Sequence, residues 1–216
     1  MKNVRLFYTK SGRMRFISHL DMTRFMTRII RRANIPVWYT EGFNPHLYMT
    51  FALPLSLGFN SDYEVIDIRL TDDGFPIDSL CERLNAVCPP YIRFFDAAEP
   101  IKKAADVAAA KFKIAFDDGG ECYDSLLQFL SRDEIPVAKK TKKGGIKEFN
   151  AAQKIIKSDV SITDGNTALD LILPAGSEDN LNPELLLGAF FEKVKKYFCY
   201  IITRTAILDS NGKLFK

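Results

Sequence analysis

Residues 18–33 admit one secondary structure and leave one side of it unburied. Met22, Phe25, Met26, Ile29, Ile30 and Ala33 recur at spacings of three and four, the stripe by which an amphipathic helix meets a core. Arg24, Arg28, Arg31 and Arg32 recur at four, three and one, beside or opposite that stripe. Ser18-His19-Leu20-Asp21 matches the capping box: the serine hydroxyl satisfies an early helical N–H and Asp21 reaches back to the cap. Asn34 and Pro36 close the helix. Like charges at these spacings repel, so a helix with four arginines and almost no acid is mildly destabilised unless an anion is near.

The flanking patterns supply the rest of a fold. Residues 4–9 read as a strand, 10–12 as a turn and 13–17 as extended chain, with a short strand after the helix at 37–40. Strands at 50–57 and 63–70 are joined by the turn Gly58-Phe59-Asn60-Ser61. Pro76-Ile77-Asp78 opens a helix to about residue 87, and 91–97 is a strand. Strand, helix, strand, strand, helix, strand is the ferredoxin-like order. It recurs further on as strand 111–116, helix 121–131, strands 135–140 and 159–163 around a weak pattern at 146–157, strand 167–173, helix 183–197 and strand 198–208. The predicted class is α+β, with two ferredoxin-like (βαββαβ) subdomains in tandem: 1–99, a connector or short helix at 100–110, and 111–216. The repetition lies in element order; no residue-level repeat accompanies it.

Charge is uneven. The chain of 216 residues carries a net +3, but residues 1–51 carry +7, residues 52–110 carry −5 and residues 111–216 carry +1. A basic segment in a nearly neutral protein points to a polyanion such as RNA, or to an acidic partner surface. A second basic run, residues 139–147, holds five lysines and no acid around Gly144-Gly145. Lys142 and Lys143 there read either as phosphate contacts or as a solvated loop tip.

Several classes are disfavoured. No stretch approaches the roughly 20 apolar residues of a membrane span. Met1-Lys2-Asn3-Val4-Arg5 is followed by no apolar signal core, so the expectation is a cytoplasmic protein without a membrane role. Cys81, Cys88, Cys122 and Cys199 form no CxxC pair and read as reduced thiols. GxxxxGK[ST], GxGxxG and GxSxG are absent, as is a three-cysteine cluster for an iron–sulfur centre. No cofactor and no metal site are expected; any radical chemistry would use a cofactor held by a partner.

Three groups of residues are functional candidates. His19 stands at the first helical position, where the macrodipole disfavours the imidazolium; it serves as a base or phosphate contact, or is simply exposed. Gly42-Phe43-Asn44-Pro45-His46 is a loop of fixed shape: either a tight turn with Phe43 plugged into the core, or a pocket in which Asn44 and His46 lie beside the arginine ridge. Trp38, Tyr39, Phe43, Tyr48 and Phe51 offer stacking surfaces for RNA bases or fill a core, with Tyr39 and Tyr48 the better candidates for exposure.

The runs Arg15-Phe16-Ile17-Ser18-His19-Leu20-Asp21, Arg31-Arg32-Ala33, Tyr39, Gly42-Phe43-Asn44-Pro45-His46, Phe51-Ala52-Leu53-Pro54-Leu55-Ser56-Leu57-Gly58 and Glu64 resemble the bacterial radical-SAM-linked domain of unknown function, in the form that occurs without a fused enzyme. The family usually follows the loop histidine with a second proline, where this chain has Leu47-Tyr48. The resemblance implies a radical SAM enzyme as partner, in RNA or ribosome-related modification. The element order is also similar to the tandem ferredoxin-like RNA endonucleases of CRISPR processing.

The leading expectation is a non-catalytic RNA-binding or substrate-recognition module, with tRNA or rRNA as partner. Arg13, Arg15, Arg24, Arg28, Arg31 and Arg32 hold phosphates with Lys142 and Lys143, while Tyr39, Asn44 and His46 position the bound group in a hollow shared with the ridge. The alternatives are a metal-independent endoribonuclease using His19 or His46 with an arginine, and a protein adaptor that binds no RNA. The Asp-x-His-x-x-Gly signature of cobalamin binding is missing.

Overall fold

In the computed structural model, residues 1–140, 144–176 and 179–216 are described. The chain divides into two units, one of residues 1–107 with 213–216, the other of residues 108–212. Both are α+β.

The first unit runs β1 (Lys2–Lys10), α1 (His19–Arg32), β2 (Met49–Phe51), β3 (Asn60–Leu70), α2 (Leu80–Asn85) and β4 (Ile92–Ala98). Its strands lie in the order β4-β1-β3-β2, all pairs antiparallel. Alternation along the strands sorts the side chains. Val4, Leu6 and Tyr8 of β1, Ile66, Ile68 and Leu70 of β3, and Ile92 and Phe94 of β4 enter one core with Met22, Met26, Ile29 and Ile30 of α1 and Leu80 and Leu84 of α2. The helices therefore cover one face of the sheet.

On the other face, Arg5 stands directly across the β1–β3 ladder from Asp67. The guanidinium is 0% exposed and grips the carboxylate with two bonds of 2.7 Å, one each from Nε and Nη2. Nη2 also donates to the Lys102 carbonyl at 2.8 Å, and the group lies 4.3 Å from the Phe215 ring centre. Tyr63 donates its hydroxyl to the Phe215 carbonyl at 2.9 Å. Burial, with the Asp96 charge adding and Arg5 opposing, pushes that phenol up to about 12.

Three expectations change here. Residues 13–17 are not extended: a 3-10 turn occupies Gly12–Phe16. The strand at 50–57 stops at Phe51, three residues before Pro54, which has no N–H for the ladder. Residues 37–40 make only the isolated bridges Val37–Leu70 and Tyr39–Leu47. The 3-10 turn depends on Gly12, at φ +53°, where an added Cβ would lie 2.4 Å from Cδ1 of Tyr91. Gly12→Ala is expected to cost about 2 kcal/mol, from the left-handed backbone and the overlap together, read as a lowered thermal midpoint. Adding Tyr91→Ala should recover only the overlap part.

The second unit holds β5 (Val107–Asp117), α3 (Tyr123–Leu130), β6 (Pro136–Lys140), β7 (Ile146–Asn150), β8 (Lys157–Thr163), β9 (Asn166–Pro174), α4 (Pro183–Val194) and β10 (Cys199–Asp209). β5 begins inside the segment expected as a connector. Strand order is β10-β5-β9-β8, and β6 with β7 forms a separate hairpin between α3 and β8. β7 is the strand the weak pattern at 146–157 concealed. Asn182 caps α4 through Glu184 N at 3.0 Å, and Lys195 at φ +56° ends it short of residue 197. Among the described residues no helix is long and apolar enough to cross a membrane.

Candidate nucleic-acid interface

α1 begins as its sequence requires. Ser18 Oγ accepts from Asp21 N at 3.1 Å. Asp21 does not reach the cap's backbone; its Oδ2 accepts from the Ser18 hydroxyl at 2.7 Å. Met22, Met26, Ile29 and Ile30 are buried, while Arg24, Arg28, Arg31 and Arg32 are all exposed along the opposite stripe. Arg24 meets Asp21 at 3.3 Å, an exposed pair that holds it weakly. Arg28 and Arg31 have no carboxylate partner among the described residues. Arg32 lies near Cys88, whose thiol burial pushes up to about 11 against the pull of that cation. The negative end of the helix dipole favours Arg31 and Arg32 in the last turn, which offsets part of the mutual repulsion.

The Gly42–His46 loop is the tip of a short hairpin, closed by Thr40 N to His46 O at 2.8 Å and Tyr48 N to Trp38 O at 3.0 Å. Val37, Tyr39, Leu47 and Met49 pack with the helix-side core. Their alternates Trp38, Thr40, His46 and Tyr48 consequently project from the opposite face. There Arg69 lies 5.1 Å from the Trp38 ring centre and 4.5 Å from that of Tyr48, and its Nε donates to Asn3 Oδ1 at 3.0 Å. His46 Nδ1 is 2.9 Å from Thr40 Oγ1 and 3.2 Å from the Asn44 carbonyl.

The expectation that the ridge and the imidazole turn share one hollow is therefore wrong. The ridge points outward from the helical layer; His46 belongs to the other side of the sheet. The reason is the period of two in the hairpin, which sends Tyr39 inward and His46 away. Tyr39 is half-buried against the core instead of offering a free ring. Phe43 does not plug the core: it is 106% exposed at the loop tip, where Gly42 at φ +120° and Pro45 leave no regular face to pack on. Asn44 is exposed beside it. His19 lies on the helix side, edge-on to Phe51 at 4.8 Å, so the two histidines do not converge as an acid–base pair.

Arg13 is exposed and Arg15 half-buried in the 3-10 turn before α1. The Arg15 guanidinium covers the Phe16 ring at 4.6 Å, yet its buried Nε has no hydrogen-bond partner. Arg15 O accepts from Gly58 N at 2.8 Å, which joins this turn to the loop at 52–59. Phe16, Leu20 and Leu57 are 63%, 59% and 60% exposed, three apolar side chains whose exposure the sequence motifs did not reveal. Lys142 and Lys143 lie outside the described residues.

The fold and this surface define an α+β protein with a basic, outward-facing helix. The profile of a family described as "uncharacterized protein conserved in bacteria (DUF2344)" matches residues 3–183, and the chain belongs to that family. No curated protein matches it. Among solved structures the chain is similar to a protein named as a candidate glycine cleavage system transcriptional repressor, at 7% identity and a TM-score of 0.28, over 94% of this chain and 98% of that one. It is also similar to an unknown protein from Galdieria sulphuraria, at 8% identity and a TM-score of 0.28, over the same shares of 94% and 98%. Scores this low carry no argument about function.

Proposed function

We propose that this protein is a non-catalytic RNA-binding module that presents its RNA to a radical SAM enzyme, in RNA or ribosome-related modification. The observation that carries the reading is the α1 ridge: four exposed guanidiniums in one stripe, with Arg28 and Arg31 unclaimed by any described carboxylate. Guanidiniums so placed pair with backbone phosphates and hold a strand without reading its bases. Asn44 and His46 belong to a separate contact, if the RNA wraps to the hairpin. Each unit is read as a ferredoxin-like module, supported by the strand orders β4-β1-β3-β2 and β10-β5-β9-β8, the second carrying the β6–β7 hairpin as an insertion.

Fluorescence anisotropy with a labelled, structured RNA tests this. Affinity is expected at low salt and should fall linearly on a log–log plot as salt rises. Arg28→Ala with Arg31→Ala should weaken binding roughly tenfold and reduce the slope by about 1.4–1.8, the share of two phosphate contacts. Absence of binding at low salt, or an unchanged slope in the double variant, contradicts the proposal.

The adaptor reading has its own support. Phe16, Leu20 and Leu57 are exposed apolar side chains of the kind that a protein partner covers. Capture of a radical SAM enzyme that survives nuclease treatment, and is lost with Phe16→Ala and Leu57→Ala, would assign the partner to those side chains.

A further inference from the structure

We propose a second binding site, in the second unit: a groove between β6 and α4 that takes an extended, basic segment of a partner protein. The groove encloses about 390 Å³, and its lining includes Pro136 and Ala138 on one side and Leu185, Gly188 and Ala189 on the other. Three carboxylates, Glu148, Glu184 and Glu192, complete it, and among the described residues no lysine or arginine lines it. None of the three pairs with a described cation. Burial pushes the Glu184 carboxyl up, the direction a nearby cation would reverse.

The strand edge says what shape fits. Among the described residues β6 pairs with β7 alone. Ala151 N donates to Ile135 O at 2.8 Å, and the register continues Val137 to Phe149 and Lys139 to Lys147. Bonded pairs alternate along an antiparallel ladder, so the N–H and C=O of Ala138 and the C=O of Pro136 point away from β7. Those groups belong to residues that line the groove. A chain laid along β6 would bond to them as an added strand. Opposite, Gly188 holds the groove open: a Cβ there would meet nothing within 4 Å. An added strand places alternate side chains on one face, so lysine or arginine at every second position reaches the carboxylates. The same carboxylates repel phosphate, which makes the occupant a peptide and separates this site from the arginine ridge of α1.

The test uses the full chain and a short peptide alternating arginine with valine, against a glutamate–valine counterpart, followed by backbone amide NMR. The arginine peptide is expected to shift the Ala138 and Gly188 amides and to slow hydrogen exchange at Ala138 N–H; the glutamate peptide is not. Glu148→Gln with Glu192→Gln should weaken binding about tenfold. Gly188→Leu should abolish it with no fall in the unfolding midpoint, because the new side chain fills open space on a helix that gains by losing glycine. Equal shifts with the glutamate peptide, no shift with the arginine peptide, or full binding by Gly188→Leu would overturn the proposal.

Discussion

Asp67→Ala will lower stability by about 3–5 kcal/mol, among the largest losses any single substitution causes in this chain. The cost does not come from the net value of the ion pair. It comes from what remains: a guanidinium with 0% exposure, left with one carbonyl acceptor and the Phe215 ring. A cation so enclosed cannot recover its hydration without opening the sheet. Replacing both members should cost far less, since a buried pair exchanged for apolar side chains of similar size is often close to neutral. Arg5→Met with Asp67→Leu is therefore expected within about 1 kcal/mol of the parent. Arg5 Nη1 already lacks a partner, so removing the guanidinium relieves one unsatisfied group, while the Lys102 carbonyl loses the Nη2 donor. Chemical denaturation of the four species of the double-mutant cycle checks the sign and size of the coupling.

Asp118→Ala will cost about 3–4 kcal/mol and remove an acid-sensitive part of the fold. Oδ1 accepts from Thr167 N at 2.8 Å and Gly120 N at 3.1 Å; Oδ2 accepts from Cys122 N and Thr167 Oγ1, both at 2.8 Å. One carboxylate thereby ties the turn before α3 to the start of β9. Burial favours the neutral acid, but the bonds from Thr167 and Cys122 outweigh it and hold the carboxyl well below its ordinary 3.8. The folded value is the depressed one, so the carboxylate's contribution is complete above about pH 4 and is lost as pH falls toward the folded value. Acid titration of far-ultraviolet dichroism should show the parent losing stability below pH 4 more steeply than Asp118→Asn, which starts lower and has no such proton to gain.

α1 was legible because its signals agree: the Ser18 cap, the Met22–Ile30 stripe and the terminator Asn34, which adopts φ +52°. The strand–helix–strand–strand–helix–strand succession of the first unit was legible for the same reason, since β1, β3 and β4 alternate in plain sequence. The hairpin insertion was not. β7, Ile-Lys-Glu-Phe-Asn, is largely exposed on both faces and has no apolar period to announce it. At the candidate site, composition located the arginines but not their direction relative to His46. That depended on the parity of the 37–40 segment, where one residue's shift would exchange Tyr39 for Trp38. The Arg69 stack on Trp38 and Tyr48 follows from that same parity. The reach of Asp118 to Thr167, 49 residues further along the chain, lay beyond any local pattern.

The most direct measurement is ultraviolet cross-linking of RNA that copurifies with the protein from its native host, followed by sequencing of the RNA and mapping of the linked peptides. One enriched RNA species is expected, with cross-links on peptides spanning α1 that disappear when Arg28 and Arg31 are alanine. Recovery of no RNA above the background of a protein of equal charge, or cross-links confined to the second unit, would contradict it.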